Sequence, residues 1–161
     1  MLRNLDAWLV KAEAHAEAVG FSVDNLVSAR LAPDQFPLGW QIGTAADNAK
    51  LMVARLTGLE APKHADDQTT VAELRARIAS VLEFLGSVGE DAFAESKSRT
   101  ITLHFIPGMG MTAAEYLNAF ALPNFYFHIS HCYAILRHNG VPLGKMDYIG
   151  GLDLFPVISE S

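Results

Sequence analysis

Three histidines and the chain's single cysteine fall within one stretch, LPNFYFHISHCYAILRHNGVP, residues 122–142. Imidazole nitrogen and thiolate sulfur are the side-chain donors best suited to zinc and nickel. His128 and Cys132 stand at i, i+4 and His128 and His131 at i, i+3, so on a helix either pair shares a face. An ion held by such a pair, with open coordination positions, would bring the pKa of a bound water or thiol toward neutrality. That is the chemistry of a hydrolase or of a thiol-transfer enzyme. A catalytic ion normally takes a third protein ligand, which in a bundle comes from a facing helix. A loop residue such as Asp34, or a water, would have to complete the shell if the facing helix offers none.

The competing reading of these residues is structural. His128 then sits at the edge of the core with its ring nitrogens satisfied by neighbouring groups, and Cys132 is a small buried hydrophobe. His131 and His138 read as flank or interface residues, His15 and His64 as surface residues, and His104 as part of the open face of a strand. No Ser-His-Asp spacing, phosphate-binding loop or CxxC motif is present.

The elements that position this stretch are helical. Leu5, Leu9, Ala12, Ala16 and Val19 recur at helical spacing over a first helix, 2–19, that stops at Gly20. SARLAPDQFPLGW reads as an ordered loop. A second helix is expected from about Trp40 to Thr57, with Gly58 behind it and a core stripe of Ile42, Ala45, Ala46, Ala49, Val53 and Leu56. That stripe holds no metal ligand, and Asp47 and Asn48 lie off it. GLEAPKHADDQTT is a polar connection, and Thr70 and Glu73 form the capping box of a third helix ending at Gly86.

Ile101, Leu103 and Phe105 alternate with Thr100, Thr102 and His104 ahead of the Pro107-Gly108 turn, which predicts a short ribbon decorating a loop. Thr112 and Glu115 cap the fourth helix, which runs to Asn139-Gly140. Pro123 is expected to kink or split it. With Phe125 set at zero and about 100° per residue, Leu136, Ile129, Leu122 and Cys132 fall on one side, and His131 and His138 join Phe120 and Phe127 on another. So wide an apolar sector makes this either the innermost helix or part of a subunit interface. PLGKMDYIGGLDLF has too many glycines for a helix and reads as a strap anchored by Tyr148, Leu152 and Phe155.

The chain of 161 residues is half apolar and carries 12 basic and 18 acidic side chains, a formal net charge of −6. This length and composition suit one domain, 1–161, with a substantial core. An acidic chain without a Lys/Arg stripe argues against nucleic acid as a partner. No apolar run approaches the roughly 18 residues a spanning helix needs, and the N-terminal residues lack a signal-peptide core. A lone cysteine suits a reducing compartment. The expectation is a cytoplasmic protein.

ARLAPDQFPLGWQIGTAADNAKLMVARLTG, TTVAELRARIA and LPNFYFHISHCYAILRHNGVPLGKMDYIGG together resemble a bacterial domain-of-unknown-function group of the DinB/YfiT-like superfamily. The resemblance covers nearly the whole chain. It implies an all-α four-helix bundle, often a homodimer through helix packing, with a little more helix ahead of the segment matching Leu5. Many members of the superfamily hold a divalent metal through one histidine of helix two and a pair spaced i, i+4 on helix four, and some use it in thiol transfer. Carried onto this chain, the pair falls on His128 and Cys132, and the helix-two ligand falls near Ala45 or Asn48.

Residues and resemblance together lead to two expectations. The favoured one is a bundle with an incomplete metal site and no cofactor that binds a small molecule or a protein between helices two and four. Its pocket is floored by Ala45, Ala46 and Ala49 and lined by His128, Trp40 and Tyr126; the bland alternative is that Phe125 or Phe127 fills this space. The other expectation is a zinc- or nickel-dependent transferase or hydrolase with a reduced ligand set drawn from His128, His131 and Cys132.

Overall fold

The computed structural model describes residues 1–156; residues 157–161, the end of the expected domain, lie outside the described residues. The architecture is a helical bundle with a small ribbon. Helix α1 (Leu2–Val19) buries Leu2, Leu5, Trp8, Leu9, Ala12 and Ala16 on one stripe. It ends at Gly20, whose φ of 88° suits a residue without a Cβ and whose N–H closes on the Ala16 carbonyl. Helix α2 (Leu38–Thr57) begins at Leu38 rather than Trp40, because Pro37 caps it and the Pro37 carbonyl already accepts the Gln41 N–H. Helix α3 (Val71–Ser87) opens on the expected Thr70–Glu73 capping box. Helix α2 makes its most extensive contacts with the last long helix and then with α3, so it is the central element. Among the described residues no helix is long and apolar enough to cross a membrane.

The ribbon is shorter than the alternation predicts. Strand β1 (Thr100–Thr102) pairs antiparallel with β2 (Gly110–Thr112), with Ile101 opposite Met111. Ile101 and Leu103 are buried, but Phe105 is exposed because the chain already turns toward Pro107 and Gly108. Leu56, Ile101, Leu103, Ala113, Tyr116 and Ala121 form a second small core beside the main one.

After β2 the chain runs through α4 (Ala113–Glu115), a π-helical segment (Tyr116–Ala121) and α5 (Leu122–His138) without a break. Of the kink or split expected at Pro123 no split occurs, and the distortion takes the form of the π-helical segment before it. In a regular α-helix its ring would strike the carbonyl one turn back and leave that carbonyl without a donor. The widened π turn takes up both problems, with Leu122 N–H reaching the Leu117 carbonyl instead.

The C-terminal strap also differs from expectation. Lys145–Ile149 forms a short helix, α6, between Gly144 and Gly150. Asp147 Oδ2 accepts the Gly144 N–H at 2.7 Å and fixes its start. Trp8 Nε1–H donates to the Asp147 carbonyl at 2.9 Å, and Tyr148 stacks on the Trp8 ring. Tyr148 is thus an anchor; Leu152 and Phe155 are exposed and are not. The glycines delimit this helix instead of preventing it.

Candidate functional site

Helices α2 and α5 meet at two polar pairs. The first joins Gln41 to His128, both buried: the imidazole Nδ1 lies 2.7 Å from Gln41 Oε1. Gln41 Nε2 donates to the Phe36 carbonyl at 3.2 Å, which leaves its Oε1 as the acceptor facing the ring. His128 Nδ1 must therefore carry the proton, and Nε2 keeps a lone pair with no protein partner among the described residues. Burial, with a smaller contribution from His131, pushes the His128 pKa down to about 4. The ring is neutral near pH 7. In the second pair Asn124 Nδ2 donates to Asn48 Oδ1 at 2.8 Å, and Asn48 Nδ2 is sealed from solvent without an acceptor.

Aromatic rings surround His128. Trp40 meets it edge-on at 5.5 Å and stacks on Phe36 at 4.0 Å, while Phe127 meets it edge-on at 5.2 Å. Phe36, Trp40 and Phe127 are all exposed, a concentration of large apolar surface on this rim. His131 Nδ1–H donates to the Phe127 carbonyl at 2.8 Å, and its Nε2 accepts from Gln35 Nε2 at 3.3 Å. His131 therefore shows the same tautomer as His128.

Other expected pocket residues fall elsewhere. Ala45, Ala46 and Ala49 are buried in the main core in one cluster with Phe125 and Ile129, so they are packed rather than a vacant floor. Phe125 is the aromatic ring in that core; Phe127 turns outward. Tyr126 also points outward, with Phe125 as its ring neighbour. Trp40 borders a cavity of about 540 Å³ that continues over α2 to Thr44, Asp47, Gln68, Arg77 and His104. Asp34 is exposed in its loop.

The arrangement does not fit a divalent ion. Cys132 is wholly buried among the apolar side chains of the main core, where burial disfavours its thiolate. With Cys132 turned inward, the i, i+4 neighbour of His128 toward the rim is Asn124, whose amide is engaged with Asn48. The α2 residue facing His128 is Gln41, not Ala45 or Asn48, and its Oε1 accepts a hydrogen bond from the imidazole Nδ1–H. Asn48 presents an unpartnered N–H donor, which repels a cation. Among the described residues no three His, Cys, Asp or Glu side chains are grouped to hold a metal.

A polar network missed at the sequence level lies on the other flank of α2. Arg77 of α3 is buried against Gly43, where an added Cβ would stand 3.2 Å from its Nη1. It donates to Asp66 at 2.8 Å and to Gln68 at 2.7 Å. Asp47 Oδ1 lies 2.8 Å from Arg77 Nη2 and 2.7 Å from the buried Lys50 Nζ, close ion pairs without hydrogen-bond alignment. Lys50 also donates to His64 Nδ1 at 2.8 Å, and His64 Nε2 meets Ser80 Oγ at 3.1 Å. His64, half-buried, is therefore a clasp between α2 and α3 rather than a free surface residue. Burial first, then Lys50 and Arg77, lowers its pKa. An Arg and a Lys within otherwise apolar helical stripes are the only sequence signal this network leaves.

Comparison with known proteins agrees with the fold. A family described as "Domain of unknown function (DUF1993)" matches residues 1–149. The crystal structure of a DinB family member protein from Shewanella denitrificans is similar at 48% identity and a TM-score of 0.93. The match covers 98% of this chain and 89% of that one. No curated protein matches.

Proposed function

We propose, from the premise that this chain belongs to the DUF1993 family within the DinB-like superfamily, that it binds a small ligand at the mouth between α2 and α5. The observation that carries this reading is the free Nε2 of His128, an acceptor held in one tautomer by Gln41 and ringed by exposed aromatic faces. A preset acceptor beside apolar walls is the usual composition of a small-molecule site. The ligand group that meets His128 is a hydrogen-bond donor, because Nε2 is an acceptor. It is planar, to lie on the rings, and carries an N–H or O–H for Nε2. Trp40 belongs both to the rim and to the adjoining cavity, which gives the body of the ligand a place to extend.

Phenol, indole and benzamide serve as probes in an NMR titration that follows the His128 ring and the Trp40 indole. Saturable shifts at both residues are expected, with the shift at Trp40 lost in His128→Phe. Shifts spread evenly over the surface, or unchanged by the substitution, would contradict the proposal.

A further inference from the structure

We infer that the cavity at the C-terminal end of α2 is a binding site for a phosphate dianion, either free or borne on a small organic molecule. This cavity, of about 600 Å³, is lined by Lys50, Arg55, Lys63, His64 and Arg99 around Gly58. In a chain of net charge −6 with only 12 Lys and Arg, gathering four of them around one cavity runs against the overall field. One carboxylate lines the same space, Asp47, and it is already taken by Arg77 and Lys50. Lys63 has a loose, exposed pair with Glu60 at 3.5 Å.

Arg55 and Arg99 are left without counter-ions among the described residues. Arg55 lies over the Tyr116 ring and donates one bond to the Tyr116 hydroxyl at 3.0 Å, which orients the guanidinium without neutralising it. Arg99 lies flat against Gly58, where any side chain would collide with its guanidinium. Gly58 closes α2 at a φ of 81°, and the negative end of the helix dipole accounts for a cation at that place. It does not supply a partner: Arg99 makes no hydrogen bond or ion pair among the described residues, and its Nε is sealed from solvent without an acceptor. The Arg99 groups open to an anion in the cavity are its two Nη nitrogens, which have no partner among the described residues.

Two guanidinium groups without a carboxylate counter-ion, Arg99 offset only in part by the end of α2, match a dianion, and their planar forks donate to phosphate oxygens two at a time. His64 adds no charge, because its Nδ1 accepts from Lys50 and its Nε2 is directed at Ser80. The cavity exceeds the size of one phosphate, and Leu51, Ala54 and Leu59 line the remainder, a surface for an organic body.

The test is calorimetric titration of the full chain with inorganic phosphate, phenyl phosphate and phenylacetate, repeated for Arg99→Gln and Leu59→Glu. Leu59 is exposed, so the second variant adds an opposing charge without touching the core. Both phosphates are expected to bind the wild type, weakening by about tenfold or more in each variant and as salt is raised. Thermal melting in phosphate-free buffer shows whether Arg99→Gln remains folded, with no loss expected. Tighter binding of phenyl phosphate supports an ester as the ligand, and equal binding supports free phosphate. The inference is overturned if neither phosphate binds at millimolar concentration, if both variants bind like the wild type, or if phenylacetate binds as tightly as phenyl phosphate.

Discussion

Protonation of His128 should cost the fold stability over a defined pH window. The native pKa is held at about 4, below the ordinary value of 6.5, because the ring is buried, with a smaller contribution from nearby His131. The native state therefore resists a proton that the unfolded chain accepts, so stability is full above pH 6.5 and is lost as pH falls from 6.5 to 4. At pH 5 the unfolded ring is mostly charged and the native ring mostly neutral, a difference of ~2 kcal/mol relative to pH 7. His128→Gln retains an N–H for Gln41 Oε1 and removes the titration. Urea denaturation of both proteins at pH 7 and pH 5 should give the wild type a pH-dependent loss larger by about that amount. His64, whose pKa is also lowered, contributes equally to both and cancels. An identical pH slope in the two proteins, or an NMR titration of His128 with a midpoint near 6.5, would refute the reasoning.

Two further outcomes follow from the buried groups. Arg77→Ala leaves Asp47 half-paired and removes the donor of the two bonds to Asp66 and Gln68 in the loop before α3, so urea denaturation should report a loss of about 3–5 kcal/mol; a loss under about 1 kcal/mol contradicts the role given to this network. Cys132 should be silent toward an aromatic disulfide reagent at pH 8 in the native protein and react fully in denaturant, because burial raises its thiol pKa. Native reaction at the rate of a free thiol would mean that α5 is turned differently.

The helices, both capping boxes and the ribbon were legible in the sequence because each rests on local chemistry: Gly20 and Gly58 as terminators, Thr70 with Glu73, Thr112 with Glu115. The end of the chain was not, since a strap and a short helix between glycines share one composition, and distant partners decide between them: Trp8 and Lys11 of α1 on Asp147, and Asn4 Nδ2 on the Tyr148 carbonyl. The candidate site was legible in part. His128 and Trp40 do come together, but the wheel of one helix cannot say which α2 residue faces His128. That register belongs to helix pairing, and it selects Gln41. The same limit hid Arg77, Lys50 and His64, whose partners are far from them in sequence or lie in a loop.

The most direct test of the account is equilibrium dialysis of chelator-treated protein against zinc and against nickel, with bound metal counted by elemental analysis for the wild type and His128→Ala. The arrangement of Gln41, Asn48, Asn124 and His128 leads to the expectation of no stoichiometric binding in either protein. One ion per chain in the wild type, lost in His128→Ala, would contradict it and return this site to metal chemistry.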